Sequence, residues 1–357
     1  MMPAAVQAND LYRLLRRAPR DRVVAPSGQH FAFTTHRGKV RKDNQDTALV
    51  LTGRHTATTS PFFVAILCDG IGGLEHGDDA AALAAATVGS VLAHATPVAP
   101  VERMRHAIRE ANRAVFDRFQ GHSGTVLAAA LLEPTEAAIG WVGDARIYAA
   151  FRGGDLTPLT SDDTIAAEIA RIEGAEHAGP EAMDSLTRAI GQKREVEPHA
   201  ELLKSGYQTL LLVSDGVHRI APGALQWIHR HASGPKELVE RLVAGAHWEG
   251  GSDNATGIAI AVDQPVSLDD DGQVVAAWAE AQPRIWKVVP GESLAKGRRQ
   301  EPARAATIPV MSKQPMNHTR EPESEADRPT GGKHVPRVRP QQAPLDIDLD
   351  PTHKETT

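Results

Sequence analysis

The most informative part of the chain reads Phe62-Phe63-Val64-Ala65-Ile66-Leu67-Cys68-Asp69-Gly70. A second apolar run, Leu210-Leu211-Leu212-Val213-Ser214, ends in the same way at Asp215-Gly216. Short apolar runs bounded by turn residues are typical of buried strands. A carboxylate at the point where such a strand leaves the core is costly to bury unless a cation or a donor meets it. Two such carboxylates indicate a metal site, although one alone could cap the following turn.

The composition is that of an ordinary soluble globular protein. The 357 residues are 41% hydrophobic and 24% charged, and the net charge of −6 gives no reason to expect a nucleic-acid partner. The single cysteine, Cys68, excludes an internal disulfide framework and is typical of a reducing compartment. No apolar stretch is long enough to span a bilayer, and the N-terminus lacks the apolar core of a signal peptide. We therefore expect a cytoplasmic protein without a membrane span.

Changes in composition divide the chain into three parts. Residues 1–28 form an N-terminal extension whose basic amphipathic stretch predicts one helix, packed on the following domain or loosely attached to it. Residues 29–263 alternate apolar runs with turn signals and form the globular domain. Residues 264–357 hold 12 of the 24 prolines, which predicts a Pro-rich and mostly disordered tail. A short ordered piece is expected around residues 284–289.

The order of the elements within the domain predicts a layered α+β fold. Helices are expected at residues 77–95, 101–119, 223–231 and 236–246, and residues 161–190 are more helical and polar than their surroundings. The turn Gly143-Asp144-Ala145 predicts a hairpin that pairs the strands on either side. Further strands are expected at residues 31–35, 47–51, 125–132, 137–142, 146–151 and 256–262. Grouped strands and helices, without strict alternation, favour antiparallel sheets packed between helices.

The glycines after the first run do not make a dinucleotide-binding loop. Gly70-Ile71-Gly72-Gly73 lacks the third glycine of that fingerprint, because Glu75 holds the position. Asp69 would also face the pyrophosphate. A tight turn that brings backbone close to a ligand explains these glycines better, with the Gly70 carbonyl available to a metal.

Three more aspartates stand in turns beside predicted strands, namely Asp46, Asp144 and Asp253. Oxygen ligands without His or Cys partners select Mg²⁺ or Mn²⁺ over Zn²⁺. Several carboxylates around one pocket can hold two such ions, and a nearby arginine would bind phosphate. Arg41 is the candidate for that arginine. Strand-end capping, a plain hairpin turn at Asp144 and an exposed basic turn at Arg41 are the simpler alternatives.

At these residues the chain resembles the metal-dependent type 2C (PPM-type) family of Ser/Thr protein phosphatases, in its compact bacterial form. The resemblance covers roughly residues 30–263, and eight motifs follow one another in the family's order. They are Arg41-Lys42-Asp43-Asn44-Gln45-Asp46; Asp69-Gly70-Ile71-Gly72-Gly73 with Gly77; Ser123-Gly124-Thr125; Val142-Gly143-Asp144-Ala145-Arg146-Ile147-Tyr148; Leu159-Thr160-Ser161-Asp162; Leu186-Thr187-Arg188-Ala189-Ile190-Gly191; Ser214-Asp215-Gly216; and Asp253-Asn254-Ala255-Thr256.

The resemblance implies a four-layer αββα sandwich of two antiparallel sheets flanked by helices. It implies that Asp69 bridges two Mn²⁺ or Mg²⁺ ions, that the Gly70 carbonyl binds one of them, and that Asp215 and Asp253 bind the ion on the opposite side. Asp46 would act through coordinated water, Asp144 would bind a third, weaker ion, and Arg41 would bind the phosphate. The implied reaction is in-line attack of a metal-bridging hydroxide on phosphoserine or phosphothreonine, without a phosphoenzyme.

The sequence departs from the family pattern in two places. Ile71 stands where animal members carry a histidine proposed as general acid, so metal-bound water or another group, with His76 as one candidate, must protonate the leaving alkoxide. Asp163 stands where a histidine is common, which affects the segment around it and the third metal. Cys68 is expected to be a buried core residue and not a nucleophile.

We therefore expect a monomeric phosphatase that acts on phosphorylated Ser/Thr proteins and reverses a cognate Ser/Thr kinase. The alternative is a non-catalytic pseudophosphatase that only binds phosphoproteins. Such proteins commonly lose metal-binding aspartates, and this chain retains all of them. A narrower hypothesis takes a phosphorylated anti-anti-sigma factor as the substrate, but those regulators usually carry sensor domains, and none is visible.

Overall fold

A computed structural model describes residues 7–17, 22–24, 30–55, 60–94, 98–172, 174, 182, 185–221, 223–262, 274–278 and 286–288. All of these residues belong to the first of two compact units, residues 1–300. The predicted boundaries at residues 28 and 263 fall beside or among residues outside the described ranges, so the division into three parts stays a prediction. Among the described residues, no helix has the length and apolarity needed to cross a membrane.

Two antiparallel sheets form the centre of the structure. The first has six strands in the order β1-β2-β11-β10-β7-β8, and the second has seven in the order β13-β12-β3-β4-β5-β6-β9. The strands are β1 (Arg22–Val24), β2 (Phe31–His36), β3 (Thr47–Arg54), β4 (Pro61–Gly70), β5 (Thr125–Leu132), β6 (Ala137–Val142), β7 (Arg146–Ala150), β8 (Thr157–Pro158), β9 (His199–Leu202), β10 (Thr209–Val213), β11 (Ala255–Ala261), β12 (Val274–Trp278) and β13 (Trp286–Val288).

Helices cover both outer faces of this pair of sheets. Helices α2 and α3 contact the seven-stranded sheet and α1 contacts α2, whereas α5 and α7 contact the six-stranded sheet and α6 contacts α7. The αββα sandwich of α+β class is thereby confirmed. The helices are α1 (Ala8–Leu15), α2 (Gly77–Ala93), α3 (Pro100–Phe119), α4 (Ile165–Ile172), α5 (Asp215–His218), α6 (Ala224–His231) and α7 (Pro235–Trp248).

The apolar runs are continuous because both faces of their strands are buried. In β4, Phe62, Val64, Ile66 and Cys68 face the helix layer, whereas Phe63, Ala65 and Leu67 face the core between the sheets. In β10, Leu210 and Leu212 face the inter-sheet core, and Leu211 and Val213 face α5 and α7. Alternation of side chains along a strand normally leaves one polar face in an antiparallel sheet. Here neither face meets water.

The hairpin predicted around Gly143-Asp144-Ala145 is wrong. Strand β6 pairs with β5 and β9 in one sheet, whereas β7 pairs with β10 and β8 in the other. The turn carries the chain from sheet to sheet because Trp141, Ala145 and Ile147 all bury their side chains in the inter-sheet core. The loop at residues 37–46 crosses in the same way, from β2 to β3.

The remaining predicted elements lie within a few residues of the observed ones. Asp69 and Gly70 are the last residues of β4, since they pair with Val126 and Thr125, and Asp215 begins the short helix α5. The predicted N-terminal helix is α1, which buries Leu11 and Leu15 in the core beside α2. The strands β1, β8, β9 and β12 were not predicted, whereas β13 falls in the piece expected to be ordered. Much of the segment predicted as helical after α4 lies outside the described residues.

Candidate active site

The aspartates predicted to bind metal come together where the ends of the two sheets meet. Asp69 ends β4 of one sheet and Asp215 follows β10 of the other, while Asp144 lies in a turn between the sheets. Asp253 precedes β11. All four line a cleft of about 590 Å³ together with Arg41, Gly70 and Ile71. The structure therefore brings together residues that are up to 212 positions apart in sequence.

Asp46 lies beneath this cleft and not on its surface. It is 1% exposed, and neither of its carboxylate oxygens has a hydrogen-bond partner among the described residues. Thr256, Ser214 and Asp69 surround it without reaching hydrogen-bonding geometry. A buried carboxylate without a partner carries the full cost of desolvation. Two orphaned oxygens at this position are suited to an ion or its coordinated water.

The charges of the aspartates act strongly on one another. Burial, followed by the charges of Asp46, Asp215, Asp144 and Asp253, raises the pKa of Asp69 well above its ordinary value. Burial also raises the pKa of Asp46 and of Asp144 to about 7, in both cases helped by the charge of Asp215. Like charges that share a low-dielectric site disfavour each other's ionisation. A positive charge is therefore needed if all five carboxylates are to be ionised at neutral pH.

Two arginines supply part of that charge. Arg41 Nη2 contacts Asp253 Oδ2 at 2.6 Å, and this hydrogen bond raises the pKa of the guanidinium. Arg219 contacts Asp144 Oδ2 at 3.2 Å and Asp215 Oδ2 at 3.3 Å. As the side chains are oriented, no three His, Cys, Asp or Glu groups in the described part of the chain form a group that could hold an ion.

The donor set nevertheless fits hard divalent cations. Every candidate ligand is an oxygen, and such ligands suit Mg²⁺ and Mn²⁺. The two orphaned oxygens of Asp46 and the mutual repulsion around Asp69 both indicate that a cation belongs here. The residues predicted from the sequence to hold metal are Asp46, Asp69, Gly70, Asp144, Asp215 and Asp253. Their assignment as ligands stays a prediction.

Buried side-chain amides fix the loops that carry these residues. Asn254 accepts the Gln45 backbone N–H at 2.8 Å and donates to the Arg37 and Asp43 carbonyls at 2.8 and 3.0 Å. Asn44 accepts the Asp46 N–H at 3.0 Å and donates to Thr35 at 2.9 Å. These bonds tie the loop of Arg41 to the loop of Asp253, so the two cannot move independently.

The Asp144 turn is held from both sides. His218 Nε2 lies 3.0 Å from the Asp144 carbonyl, and burial, with the Arg146 charge, lowers the pKa of His218 to about 3. The imidazole is therefore neutral and donates its Nε2 proton. On the other side, Asp163 Oδ2 accepts the Gly143 N–H at 3.0 Å. Asp163 thus has a structural role at the position where a histidine is common in the family.

His76, one candidate for the general acid, is not among the residues that line the aspartate cleft. It precedes α2 with φ 62°, and its ring stacks on Phe119 with the centroids 6.1 Å apart. It lines a neighbouring cleft with Arg37, Lys42 and Glu75. Ile71 does line the aspartate cleft, as its place in the motif predicts.

Three residues of the site were missed by the sequence reasoning, namely Arg219, Asn254 and His218. The sequence motif that contains Asn254 predicts no role for its side chain. The sequence does contain a signal for Arg219. In a helical turn that starts at Asp215, the side chain of residue 219, four positions later, lies beside the Asp215 carboxylate. The contacts of Arg219 and His218 with Asp144 link residues some 75 positions apart and leave no trace in local sequence.

Substitution of Gly216 should disturb the site through backbone contact. A Cβ atom at this position would lie 2.0 Å from the Asn254 carbonyl oxygen, which cannot move without shifting the loop of Asp253. We expect Gly216→Ala to lower the free energy of unfolding by about 1–3 kcal/mol and to weaken Mn²⁺ binding. Urea unfolding and a Mn²⁺ titration measure both effects.

The matched control is Gly234→Ala before α7. Gly234 is extended, with φ 170°, and a Cβ atom there would meet nothing within 4 Å. Equal stability of the two variants would contradict the close packing of α5 on the Asp253 loop.

The clustered carboxylates also predict how stability depends on pH when metal is chelated. The pKa values of Asp46 and Asp144 are about 7 in the folded state, against an ordinary value of 3.8. At a pH between these two values, the folded chain therefore binds more protons than the unfolded chain. Stability therefore falls as the pH rises through this window. In EDTA we expect the free energy of unfolding to drop by on the order of 2 kcal/mol or more between about pH 5 and about pH 8.

Urea unfolding in EDTA and in Mn²⁺ tests this expectation. Mn²⁺ should remove the drop, and Asp46→Asn should reduce it. Asp117→Asn, on the exposed side of α3, should leave it unchanged. A stability in EDTA that rises between the two pH values would show that the carboxylates do not repel one another.

The chain is similar to known protein phosphatases in sequence and in fold. Residues 35–243 match the family model described as protein phosphatase 2C. The serine/threonine phosphatase stp of Listeria welshimeri is 27% identical over 243 residues, which is 64% of this chain and 93% of the relative. The solved structure of the PPM Ser-Thr phosphatase MsPP from Mycobacterium smegmatis, in complex with cacodylate, is 29% identical with a TM-score of 0.55, covering 65% of this chain and 97% of MsPP.

A further solved structure bears on the metal. The catalytic domain of the serine threonine protein phosphatase PstP, in complex with two manganese ions, is 27% identical with a TM-score of 0.55. It covers 65% of this chain and 98% of that domain. The family model spans more than half of the chain and all of the predicted site residues except Asp253. The chain therefore belongs to the protein phosphatase 2C family and is a protein phosphatase.

Proposed function

We propose that this chain hydrolyses phosphoserine and phosphothreonine in proteins, using two Mn²⁺ or Mg²⁺ ions. The observation that carries the proposal is the convergence of Asp69, Asp144, Asp215 and Asp253 with Arg41 on one cleft, above the orphaned carboxylate of Asp46. The Listeria relative and MsPP are both Ser/Thr phosphatases by name, which supports the choice of substrate class. The two manganese ions of PstP support the choice of metal.

The proposed roles of the residues are those that the family resemblance implies. Asp69, at the end of β4, would be a shared metal ligand together with the Gly70 carbonyl, and Asp215 and Asp253 would also bind metal. Asp46, buried below, would act through water. Two divalent cations bound to these residues would lower the pKa of water for in-line attack on phosphorus and would offset the charge of the phosphate. The P–O bond to the Ser or Thr oxygen would break as the bond from water to phosphorus forms, and the second proton of that water would go to the leaving oxygen.

Arg41 is the proposed phosphate-binding residue. Its side chain is 43% exposed and points into the cleft, and Gly72 leaves room for it, because a Cβ atom at Gly72 would lie 2.8 Å from Arg41 Nη1. A guanidinium can grip two phosphate oxygens at once. Arg41 would hold the phosphate with its reacting face toward Asp69.

A covalent route through cysteine is disfavoured by the chain itself. Cys68 is fully buried on the helix-facing side of β4, and burial raises the pKa of its thiol well above the ordinary value. A thiol that stays protonated is a poor nucleophile. The proposed hydrolysis therefore transfers the phosphoryl group directly to water.

We extend the proposal to the setting of the reaction. A cognate Ser/Thr kinase would make the phosphoproteins, and the enzyme would act as a monomer in the cytoplasm, where a single reduced cysteine is usual. No observation on the described residues favours the non-catalytic alternative. The metal-binding aspartates and the arginine are all present.

The direct test of the proposal is an assay with a small aryl phosphate and a phosphothreonine peptide. We expect hydrolysis in Mn²⁺, its loss in EDTA, and a loss of at least about 100-fold in kcat for Asp69→Asn, because the substitution removes a charge on which the site is centred. Asp117→Asn serves as the control and should retain full activity. Hydrolysis that persists in EDTA or survives Asp69→Asn would sink the two-metal mechanism, and peptide binding without hydrolysis under any metal would favour the pseudophosphatase.

Substitution of Arg41 tests its role separately. We expect Arg41→Ala to raise KM for the phosphothreonine peptide about 10-fold or more, since one charge-assisted contact to phosphate contributes roughly 1.5–3 kcal/mol. The inhibition constant of inorganic phosphate should rise with it. Lys42→Ala is the matched control, because Lys42 is the neighbouring cation in the same loop but lines the other cleft. Equal effects of the two variants would mean that Arg41 adds only general positive charge.

A further inference from the structure

A third ion, which the family resemblance places at Asp144, does not fit this chain. The carboxylate of Asp144 is already paired, because Arg219 Nη2 lies 3.2 Å from its Oδ2. The other terminal nitrogen, Arg219 Nη1, lies 3.3 Å from Asp215 Oδ2. One guanidinium therefore bridges two carboxylates in the place where the third cation would be expected.

The backbone fixes this arginine in place. Arg219 follows α5 directly, and its N–H donates to the Asp215 carbonyl at 3.0 Å. Its neighbour His218 contacts the Asp144 carbonyl at 3.0 Å. The same short segment thus holds Asp144 through its backbone and through its side chain. Arg41 differs, since the cleft carboxylate that it contacts among the described residues is that of Asp253.

Charge and space both oppose an ion beside Arg219. Mg²⁺ binds oxygen ligands at about 2.0–2.1 Å, so an ion shared by Asp144 and Asp215 would lie within a few ångströms of the guanidinium. Two cations at that distance in a partly buried site repel strongly. Arginine does not lose its proton in proteins, so the charge cannot be removed to admit the ion.

We propose that Arg219 is a built-in replacement for the third metal ion, so that this phosphatase binds two ions where a chain without Arg219 would bind three. Asp144 then serves to position Arg219 over Asp215 and is not a metal ligand. The inference rests on the proposed two-metal function and narrows it. Arg219 is a positioning residue, because it acts on the ion held by Asp215 through that carboxylate.

The number of Mn²⁺ ions bound per chain tests the inference. Equilibrium dialysis followed by metal analysis gives this number without reference to activity. We expect two ions for the wild type, for Arg219→Lys and for Asp144→Asn, and a third, weaker ion for Arg219→Ala. The double variant Asp144→Asn/Arg219→Ala should return to two ions. Arg109→Ala, which removes an arginine from an exposed pair with Glu197, is the control and should bind two.

Each other result overturns the inference. A wild type that binds three ions, and loses one in Asp144→Asn, would make Asp144 a metal ligand after all. An Arg219→Ala variant that stays at two ions while it remains folded by circular dichroism would show that Arg219 does not occupy a third site. Failure of the proposed function looks different, because the wild type would then bind no Mn²⁺ and hydrolyse no phosphopeptide.

Discussion

The main physical constraint on this structure is the mutual repulsion of five aspartates that are held close together in a partly buried cleft. Asp69 is affected by the charges of all four others, and Asp46 has no hydrogen-bond partner among the described residues to relieve it. A protein has no stability reason to gather carboxylates in this way, because each one raises the cost of ionising its neighbours. The arrangement makes physical sense only if cations complete it. The arginines in the cleft and the proposed metal ions both supply positive charge that offsets the repulsion among these carboxylates.

The sandwich solves the problem of bringing these residues together. Both sheets direct strand ends toward one edge, and two connections, at residues 37–46 and at residues 143–145, pass from one sheet to the other at that edge. Strands buried on both faces are rigid supports for the carboxylates at their ends. The loops between them are short or are locked by side chains such as Asn254, so the site does not rely on flexible segments.

Much of the fold could be predicted because its strands are local and strongly patterned. The runs that became β4 and β10 are apolar throughout since both faces are covered, and α3 shows its apolar face in its spacing. The prediction that β6 pairs with β7 was wrong, because the sequence of a glycine turn between two strands is the same whether the chain folds back or crosses to another sheet. Only the burial of Trp141 and Ile147 in one core, which is a tertiary fact, decides between them. The contact of Arg219 with Asp144 was hidden for the same reason.

The cleft is also a seam between the two sheets. Asp69 belongs to one sheet, whereas Asp215 follows β10 and Asp253 precedes β11 of the other, and ions shared among them would cross-link the two sheets. The free energy of binding such ions would then stabilise the packing of the whole inter-sheet core and not that of a single loop. Sliding of one sheet on the other would break this cross-link, so catalytic activity and the packing of the two sheets would be lost in a single step.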